Sequence, residues 1–241
     1  MLLKSTDPLE RYLVELVQAQ GMLGSHEHAD SARTTVHQQA CVMAFHEFAG
    51  YLNEAFALDK DYAVGHDVRI NCEAGRAHID HLIIARTFDI FLIESRLAGD
   101  ELRVGENEEF TSRYRDGAAF RIRSPATQLR RSLAVMQHIF RSIELPERFG
   151  MKLVPRFHRF VVLPTGCTIT NLSSIPPQQF VRPKELLRAV IGASRPSSLR
   201  GFMSSLSPDQ MRDIGRIVVR WHTPDKVDFI GKYRAQPIVT A

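Results

Sequence analysis

The sequence has few cysteines, and their spacing argues against a cysteine-built site. Three occur among 241 residues, at Cys41, Cys72 and Cys167. No two form a C-x-x-C pair of the kind that zinc sites and redox motifs use. Their positions also give no disulfide framework of the kind found in small secreted domains. We therefore expect buried or idle thiols.

Long hydrophobic runs are also missing. No apolar stretch approaches the roughly 18 to 20 residues that cross a bilayer as a helix. The opening segment MLLKSTDPLERYL reaches Lys4 and Asp7 before a signal-like apolar region can form. The sequence has no internal repeat and no low-complexity tract. These absences predict a cytoplasmic globular protein without membrane partners.

The composition is that of an ordinary globular chain, with 44% hydrophobic and 24% charged residues, and it carries a net charge of +4. Arginines concentrate in the segment RYRDGAAFRIRSPATQLRR, which spans residues 113–131. Clustered arginine suits contacts with phosphate groups. The alternative is a solvated basic face that binds nothing. The cluster comprises Arg113, Arg115, Arg121, Arg123, Arg130 and Arg131.

Hydrophobic periodicity and turn residues predict the order helix, three strands, helix, strand, helices. This order favours an α/β fold with a mixed central sheet flanked by helices, plus extra N- and C-terminal helices. Predicted helices are 7–19, from 31 or 35 to 57, from Ser124 to before Pro146, 183–193 and 208–221; predicted strands are 62–70, 80–85, 90–94, a hairpin of 102–104 with 109–114, and a buried strand 157–163. We expect an N-terminal extension (1–36), a core (37–165) and a C-terminal helical region packed on it (166–241).

The stretch DHLIIARTFDIFLIESR, residues 80–96, consists of two apolar runs with an acid at each outer end. If the runs form a hairpin centred on Thr87, Leu82 faces Leu92 and Asp80 faces Glu94. Strand alternation then puts both acids on one face together with Arg96. Directly opposed carboxylates repel each other and destabilise the pair.

Three arrangements offset this repulsion. One carboxyl can be protonated, Arg96 can form a salt bridge with an acid, or a divalent cation can lie between the acids. A hard ion such as Mg²⁺ binds through one or two carboxylates and completes its shell with water and phosphate oxygens. A structural ion-pair network at a strand end, with a slightly shifted register, is the alternative to a metal site.

Five segments, in order, resemble the nuclease-related domain (NERD) family of restriction-endonuclease-like nucleases. They are EFAGYLNEAF, YAVGHDVRI, HIDHLIIA, FDIFLIESRLAG and SPATQLRRSLAVMQ. The resemblance covers roughly half of the chain, and it implies the D…(D/E)-x-K site of these nucleases. Asp80 and Glu94 would bind the metal, and Glu47 would match the helical acid, with Glu54 a weaker substitute. Gln128 would position the attacking water or a phosphate.

The sequence departs from the family pattern at Arg96, where the resemblance implies lysine, and at Leu97, where it implies asparagine. Buried lysine can lose its proton and help activate water, whereas arginine stays protonated. Arg96 can still hold the scissile phosphate. The departure is compatible with a slow, specialised or inactive nuclease.

Three functions follow as hypotheses. The first is a Mg²⁺-dependent (or Mn²⁺-dependent) nuclease that cuts DNA, with catalytic Asp80, Glu94, Arg96 and Gln128. Its nucleic-acid contacts would be Arg113, Arg115, Arg121, Arg123 and Arg131. The second is a nuclease-like DNA-binding module without catalysis. The third is a protein-interaction subunit of a larger DNA-processing complex; a homodimer would suit a double-strand cut.

Overall fold

The computed structural model describes residues 1–14, 28–95, 98–105, 108–170, 179–195, 205–223 and 236–237. Besides a helical turn at residues 9–14, these ranges contain the helices α1 (His28–Phe56), α2 (Pro125–Ser142), α3 (Pro183–Ala193) and α4 (Pro208–Arg220). The strands are β1 (Leu2–Lys4), β2 (Tyr62–Cys72), β3 (Gly75–Ala85), β4 (Asp89–Glu94), β5 (Glu101–Val104), β6 (Phe110–Arg113), β7 (Ala119–Ile122), β8 (Glu147–Arg148), β9 (Met151–Lys152), β10 (Arg156–Val162), β11 (Thr168–Thr170), β12 (Phe180–Val181) and β13 (Gln236–Pro237). Residues 15–19 of the predicted first helix and residues 106–107 of the predicted hairpin turn lie outside the described residues.

The centre of the fold is a six-stranded mixed sheet in the order β1-β2-β3-β4-β10-β12. Strand β3 is antiparallel to its neighbours β2 and β4, whereas the pairs β1 with β2, β10 with β4 and β10 with β12 are parallel. Helices α2 and α4 contribute to a hydrophobic cluster on one face, and α1 and α3 contribute to a cluster on the other. The predicted α/β fold with a mixed sheet flanked by helices is confirmed.

The register of β3 and β4 is the predicted one. Leu82 pairs with Leu92 and Ile84 pairs with Ile90. Leu82 and Leu92 pack in the cluster of α2, whereas their neighbours Ile83 and Phe91 pack in the cluster of α1. The two apolar runs are therefore buried on both faces, which explains why they show no alternation of apolar and polar residues.

A second sheet of five strands has the order β11-β5-β6-β7-β13. It contains the predicted hairpin, with β5 antiparallel to β6. Strands β6 and β7 form the next antiparallel pair and carry two arginines of the arginine-rich segment, Arg113 and Arg121.

Serine caps fix the starts of α2 and α4. The Ser124 hydroxyl accepts from the amide of Thr127, with Pro125 at the first helical position. Ser207 and Gln210 form the predicted reciprocal capping box, with distances of 3.1 and 2.8 Å. Among the described helices, none is long and apolar enough to cross a membrane.

Two details differ from expectation or add to it. The buried strand predicted at 157–163 exists as β10, but only its last two residues are buried; Arg156 is exposed and the four residues after it are half-buried. The first residues add a strand, β1, to the edge of the central sheet beside β2. The proposed division into extension, core and C-terminal region stays a prediction.

Candidate functional site

The two acids of the hairpin occupy adjacent strand positions. Pairing of β3 with β4 runs as far as His81 with Ile93, and Asp80 and Glu94 are the next residues of the two strands. Asp80 is 1% exposed and Glu94 is 5% exposed. The backbone amide of Ser95, the residue after Glu94, donates to Asp80 Oδ2 at 3.0 Å. Both acids thus lie at one place in the sheet, and a hydrogen bond joins the middle of β3 to the residue that follows β4.

The pairing of β2 with β3 is interrupted at Asp80. His66 pairs with His81 and Val68 pairs with Ile79, but the intervening pair, Asp67 with Asp80, is missing from the ladder. Asp67 has a positive φ of 54°, a backbone conformation that residues other than glycine rarely adopt. Such backbone outliers persist where the surroundings fix them, often at functional sites.

The interruption changes which face the side chains of β3 take. Ile79 and Leu82 pack in the same hydrophobic cluster although they are three positions apart, whereas strict alternation would put them on opposite faces. His81 between them contacts Phe45 and Phe48 of α1, on the other side of the sheet. The alternation therefore shifts at Asp80.

Asp67 is a buried acid that sequence reasoning missed. Its carboxylate accepts from the Tyr12 hydroxyl at 2.6 Å and from the Arg69 guanidinium at 2.5 Å, and it also bonds to His78. The side chain of Asp67 is fully buried. These partners compensate its charge without a metal ion. The pattern His-Asp inside an apolar strand was the only available signal in the sequence.

Glu47 lies on α1 and is exposed. It lines a cleft of about 830 Å³ together with Ser95, Tyr51, Arg182 and Lys184. The cleft is located where the parallel strands β4 and β10 end, a place where open α/β sheets commonly bind ligands. The structure thus brings Glu47 to the cleft that also contains Ser95, the neighbour of Glu94. Glu54 is exposed and lies further along α1.

Gln128 lies in the first turn of α2 and is half-buried. Its backbone amide donates to the carbonyl of Ser124 at 3.1 Å. Helix α2 packs across β3, β4 and β10, and near its last turn Phe140 contacts Phe88 and Phe157 at the starts of β4 and β10, so its first turn lies toward the opposite end of β4, where Glu94 is. Arg96 and Leu97 lie outside the described residues. Within the described parts of the chain, no group of three or more His, Cys, Asp and Glu side chains is arranged to hold a metal ion.

Among the described residues, the arginines of the arginine-rich segment divide into those with and those without a carboxylate partner. Arg115, Arg121 and Arg130 lie within 3.2, 3.5 and 2.5 Å of Asp100, Glu109 and Glu108, respectively. Arg113, Arg123 and Arg131 have no carboxylate partner among the residues that the structure describes. Arg131 lines a second cleft, of about 330 Å³, together with Arg76 from the start of β3. The structure therefore adds Arg76 to the basic residues of the sequence prediction.

Comparison with known proteins identifies the family. A family model described as the nuclease-related domain, NERD, matches residues 44–164, about half of the chain. The match begins in α1 before Glu47, ends at the cleft after β10, and includes Asp80, Glu94 and Gln128. Neither the curated proteins nor the solved structures gave a match. The chain therefore belongs to the nuclease-related domain family, whose general context is the PD-(D/E)xK nuclease superfamily.

Proposed function

We propose that this protein is a metal-dependent nuclease that hydrolyses phosphodiester bonds of DNA. The observation that carries the proposal is the placement of Asp80 and Glu94. They directly follow the last ladder pair of β3 with β4, beside a break in the pairing of β2 with β3. Family membership supports a nuclease-related function. The metal, the DNA substrate and the catalytic roles are parts of the proposal.

The donor set suits a hard divalent cation. Asp80 and Glu94 offer carboxylate oxygens, and Mg²⁺ or Mn²⁺ can bind through one or two carboxylates with water and substrate phosphate as the remaining ligands. A third protein ligand is not required, and Glu47 is positioned at the cleft to assist through water. When bound, such an ion supplies an activated water and stabilises the negative charge that develops on the phosphate.

The residues of the chain have separate tasks in this proposal. The Ser95 amide orients the Asp80 carboxylate by occupying Oδ2. Gln128, at the start of α2, positions the attacking water or a non-bridging phosphate oxygen. Arg96 holds the scissile phosphate with its fork of donors, but it stays protonated and is a poor general base. Water activation therefore depends on the acids and the bound ion.

The unpaired arginines provide the sequence-independent contacts with the DNA backbone. Arg113, Arg123 and Arg131 have no carboxylate partner among the described residues, so their charges are available to phosphate groups. Phosphate contacts fix the position of a protein on a duplex before any chemistry. Binding should therefore weaken steeply as salt concentration rises.

Nicking of supercoiled plasmid in the presence of Mg²⁺ or Mn²⁺ tests the proposal. Wild-type protein should convert plasmid to the open-circular form, and Glu94→Gln should not. The Arg96→Lys variant should cut at least as fast as wild type, because lysine can also act in proton transfer. A wild type that never nicks DNA with either ion contradicts the proposal.

The second candidate is a nuclease-like DNA-binding module without catalysis. Arg96 in place of the family lysine favours it. An inert wild type combined with an active Arg96→Lys variant would support this function. Under both candidates, a homodimer or a larger DNA-processing complex, and the cytoplasmic location, stay predictions from the sequence.

A further inference from the structure

A continuous row of polar side chains crosses the sheet and ends at Ser95, beside the two acids in sequence and in the hydrogen-bonded ladder. Asn53 Oδ1 lies 3.0 Å from His66 Nε2, and His66 Nδ1 lies 2.8 Å from His81 Nδ1. His81 Nε2 in turn lies 2.6 Å from the hydroxyl of Ser95. The row therefore runs from α1 through β2 and β3 to the residue that follows β4.

We propose that Asn53, His66 and His81 form a positioning chain that fixes Ser95 and, through the Ser95 amide, the carboxylate of Asp80. None of these three residues belongs to the acid pair or to the arginine-rich segment. The part of this inference that concerns metal binding rests on the proposed function. The part that concerns Ser95 and Asp80 does not depend on it.

The hydrogen bonds of the positioning chain all run in one direction, from the Ser95 hydroxyl to the amide oxygen of Asn53. An amide oxygen only accepts, so His66 must carry its proton on Nε2 and present a lone pair at Nδ1. His81 must then carry its proton on Nδ1, which leaves Nε2 to accept the Ser95 hydroxyl. Burial lowers the pKa of His66 to about 4, so this histidine is neutral at neutral pH, as the assignment requires. The amide of Asn53 thus sets the direction in which the Ser95 hydroxyl points.

Packing prevents the chain from swinging. The rings of His81 and Phe45 are stacked, with centroids 5.0 Å apart and planes at 17°, and Phe48 meets His81 edge-on. His66 and His81 are both fully buried. A buried network in which each member has its partner is rigid and costly to disrupt.

Ser95 connects this chain to the acids because it makes two different hydrogen bonds. Its hydroxyl contacts His81, and its backbone amide donates to Asp80 at 3.0 Å. A donor aimed at a carboxylate forms a strong, charge-assisted bond. Fixing the hydroxyl therefore fixes the amide, and with it one oxygen of Asp80.

The chain also anchors the helix that carries Glu47. Asn53 and Glu47 are both in α1, about 9 Å apart along its axis at 1.5 Å per residue. The hydrogen bond from His66 to Asn53 therefore sets the position of α1 relative to the strand ends. Replacing residues that hold metal ligands in place without touching the metal commonly lowers metal affinity 10- to 100-fold.

Two variants test the chain. Ser95→Ala removes only the hydroxyl, and Asn53→Leu removes the terminal acceptor while keeping the branched shape of the side chain. Both should raise the rate of amide hydrogen exchange at residue 95 of the metal-free protein by about tenfold, because its bond to Asp80 is no longer held in place. Both should also weaken binding of Mn²⁺, measured by calorimetry, by about tenfold.

Two controls separate positioning from a general loss of stability. Ser95→Thr keeps the hydroxyl and should retain wild-type exchange and Mn²⁺ affinity. Ser207→Ala removes the serine cap of α4, far along the chain, and should leave both quantities unchanged although it lowers stability.

Ring nitrogen shifts from NMR should report the Nε2–H form of His66 and the Nδ1–H form of His81.

Unchanged exchange at residue 95 in both variants overturns the inference, as do the opposite histidine tautomers. Unchanged Mn²⁺ affinity in both variants of a metal-binding wild type also overturns it. If the wild type binds no Mn²⁺ and cuts no DNA, the proposed function fails. In that case the exchange rates and histidine tautomers of the metal-free protein still show whether Asn53, His66 and His81 form the positioning chain.

Discussion

Asp67 lies opposite Asp80 at the position where the ladder between β2 and β3 is interrupted. The two acids have different partners: Asp67 is bound by Tyr12 and Arg69, whereas Asp80 accepts from the backbone amide of Ser95. Asp67 therefore stabilises the local backbone, and Asp80 lies beside Glu94 as a candidate ligand.

Replacing Asp67 should destabilise the fold. In Asp67→Asn the buried Arg69 loses its nearest charged partner and keeps Asp7, which lies 3.6 Å away, so the cost should approach the roughly 3 to 5 kcal/mol of breaking a buried pair. Asparagine tolerates positive φ, so this variant isolates the effect of charge, while Asp67→Ala should cost more because it adds backbone strain. Urea unfolding measures both, and an Asp67→Asn protein as stable as wild type would contradict the role given to this acid.

Neutralising the candidate ligands should abolish activity while the protein stays folded. Asp80→Asn and Glu94→Gln should each lower the nicking rate by at least about 10² to 10³-fold, because several kcal/mol of transition-state stabilisation are lost. Glu47→Gln should have a smaller effect, since Glu47 is proposed to act through water. Glu54→Gln is the matched control on α1 and should cut like wild type; an equal loss in Glu47→Gln and Glu54→Gln would argue against a role for Glu47.

The arginines should divide into two groups in DNA binding. Arg123→Ala and Arg131→Ala should weaken binding and lower the slope of log K against log salt by about 0.9 each, the value for one lost phosphate contact on duplex DNA. Arg115→Ala and Arg121→Ala should change the slope less, because acids already partner these side chains. Titrations of a labelled duplex at several salt concentrations measure the slopes. Equal slopes in all four variants would show that ion pairing does not decide which arginines bind.

Asp89 should stabilise the protein in a pH-dependent manner. Burial by itself raises the pKa of Asp89, but hydrogen bonds from His158, Arg156 and Thr87 outweigh it and hold this pKa well below its usual range. A carboxyl whose pKa is lowered by folding stabilises the protein above its unfolded value near 3.9, and this contribution is lost as the pH falls toward the folded value. Asp89→Asn should therefore cost about 2 kcal/mol at pH 7, and this cost should begin to shrink only as the pH falls below about 4.

The control for Asp89 is Asp61, whose ion pair with Arg86 is largely exposed. Asp61→Asn should cost less than about 1 kcal/mol. Urea titrations at pH 7 and at pH 3 measure both variants. Equal losses of unfolding free energy in the two variants at pH 7 would mean that the buried ion pair of Asp89 stabilises the protein no more than the exposed pair of Asp61.

Two buried histidines should make the protein sensitive to mild acid. Burial lowers the pKa values of His37 and His66 to about 4. Because the unfolded value is near 6.5, the unfolded chain binds more protons between these limits, so stability is complete above pH 6.5 and falls toward pH 4. Each histidine contributes on the order of 3 kcal/mol to this loss. His37→Phe, stacked on Phe120, should flatten the dependence of melting temperature on pH; parallel curves for variant and wild type would contradict this.

Part of the fold could be predicted because the information was local. The register of β3 with β4 followed from two apolar runs around a short turn, and the starts of α2 and α4 followed from Ser124 and Ser207. These features depend on residues close in sequence, where periodicity and caps are informative.

The remainder depended on distant contacts. The partners of Asp67 include Tyr12, which precedes it by 55 positions, and no local pattern indicates that pairing. The row from Asn53 to Ser95 likewise joins a helix to two strands and to the residue that follows a third. The first five residues of β10 are at least partly exposed because no neighbouring element covers them fully. The sequence FHRFVVL by itself does not indicate which elements pack on the strand.

The five-stranded sheet forms its own ladder and shares no strand with the six-stranded one. Arg113 and Arg121 belong to it, whereas Asp80 and Glu94 belong to the central sheet. Under the proposed function, the phosphate contact of Arg113 therefore lies in a separately hydrogen-bonded part of the molecule, whereas Arg131 on α2 and Arg76 on β3 belong to the elements that carry the site. For protein engineering, this means that the basic side chains of the five-stranded sheet can be redesigned for another substrate while the geometry around the acids is kept.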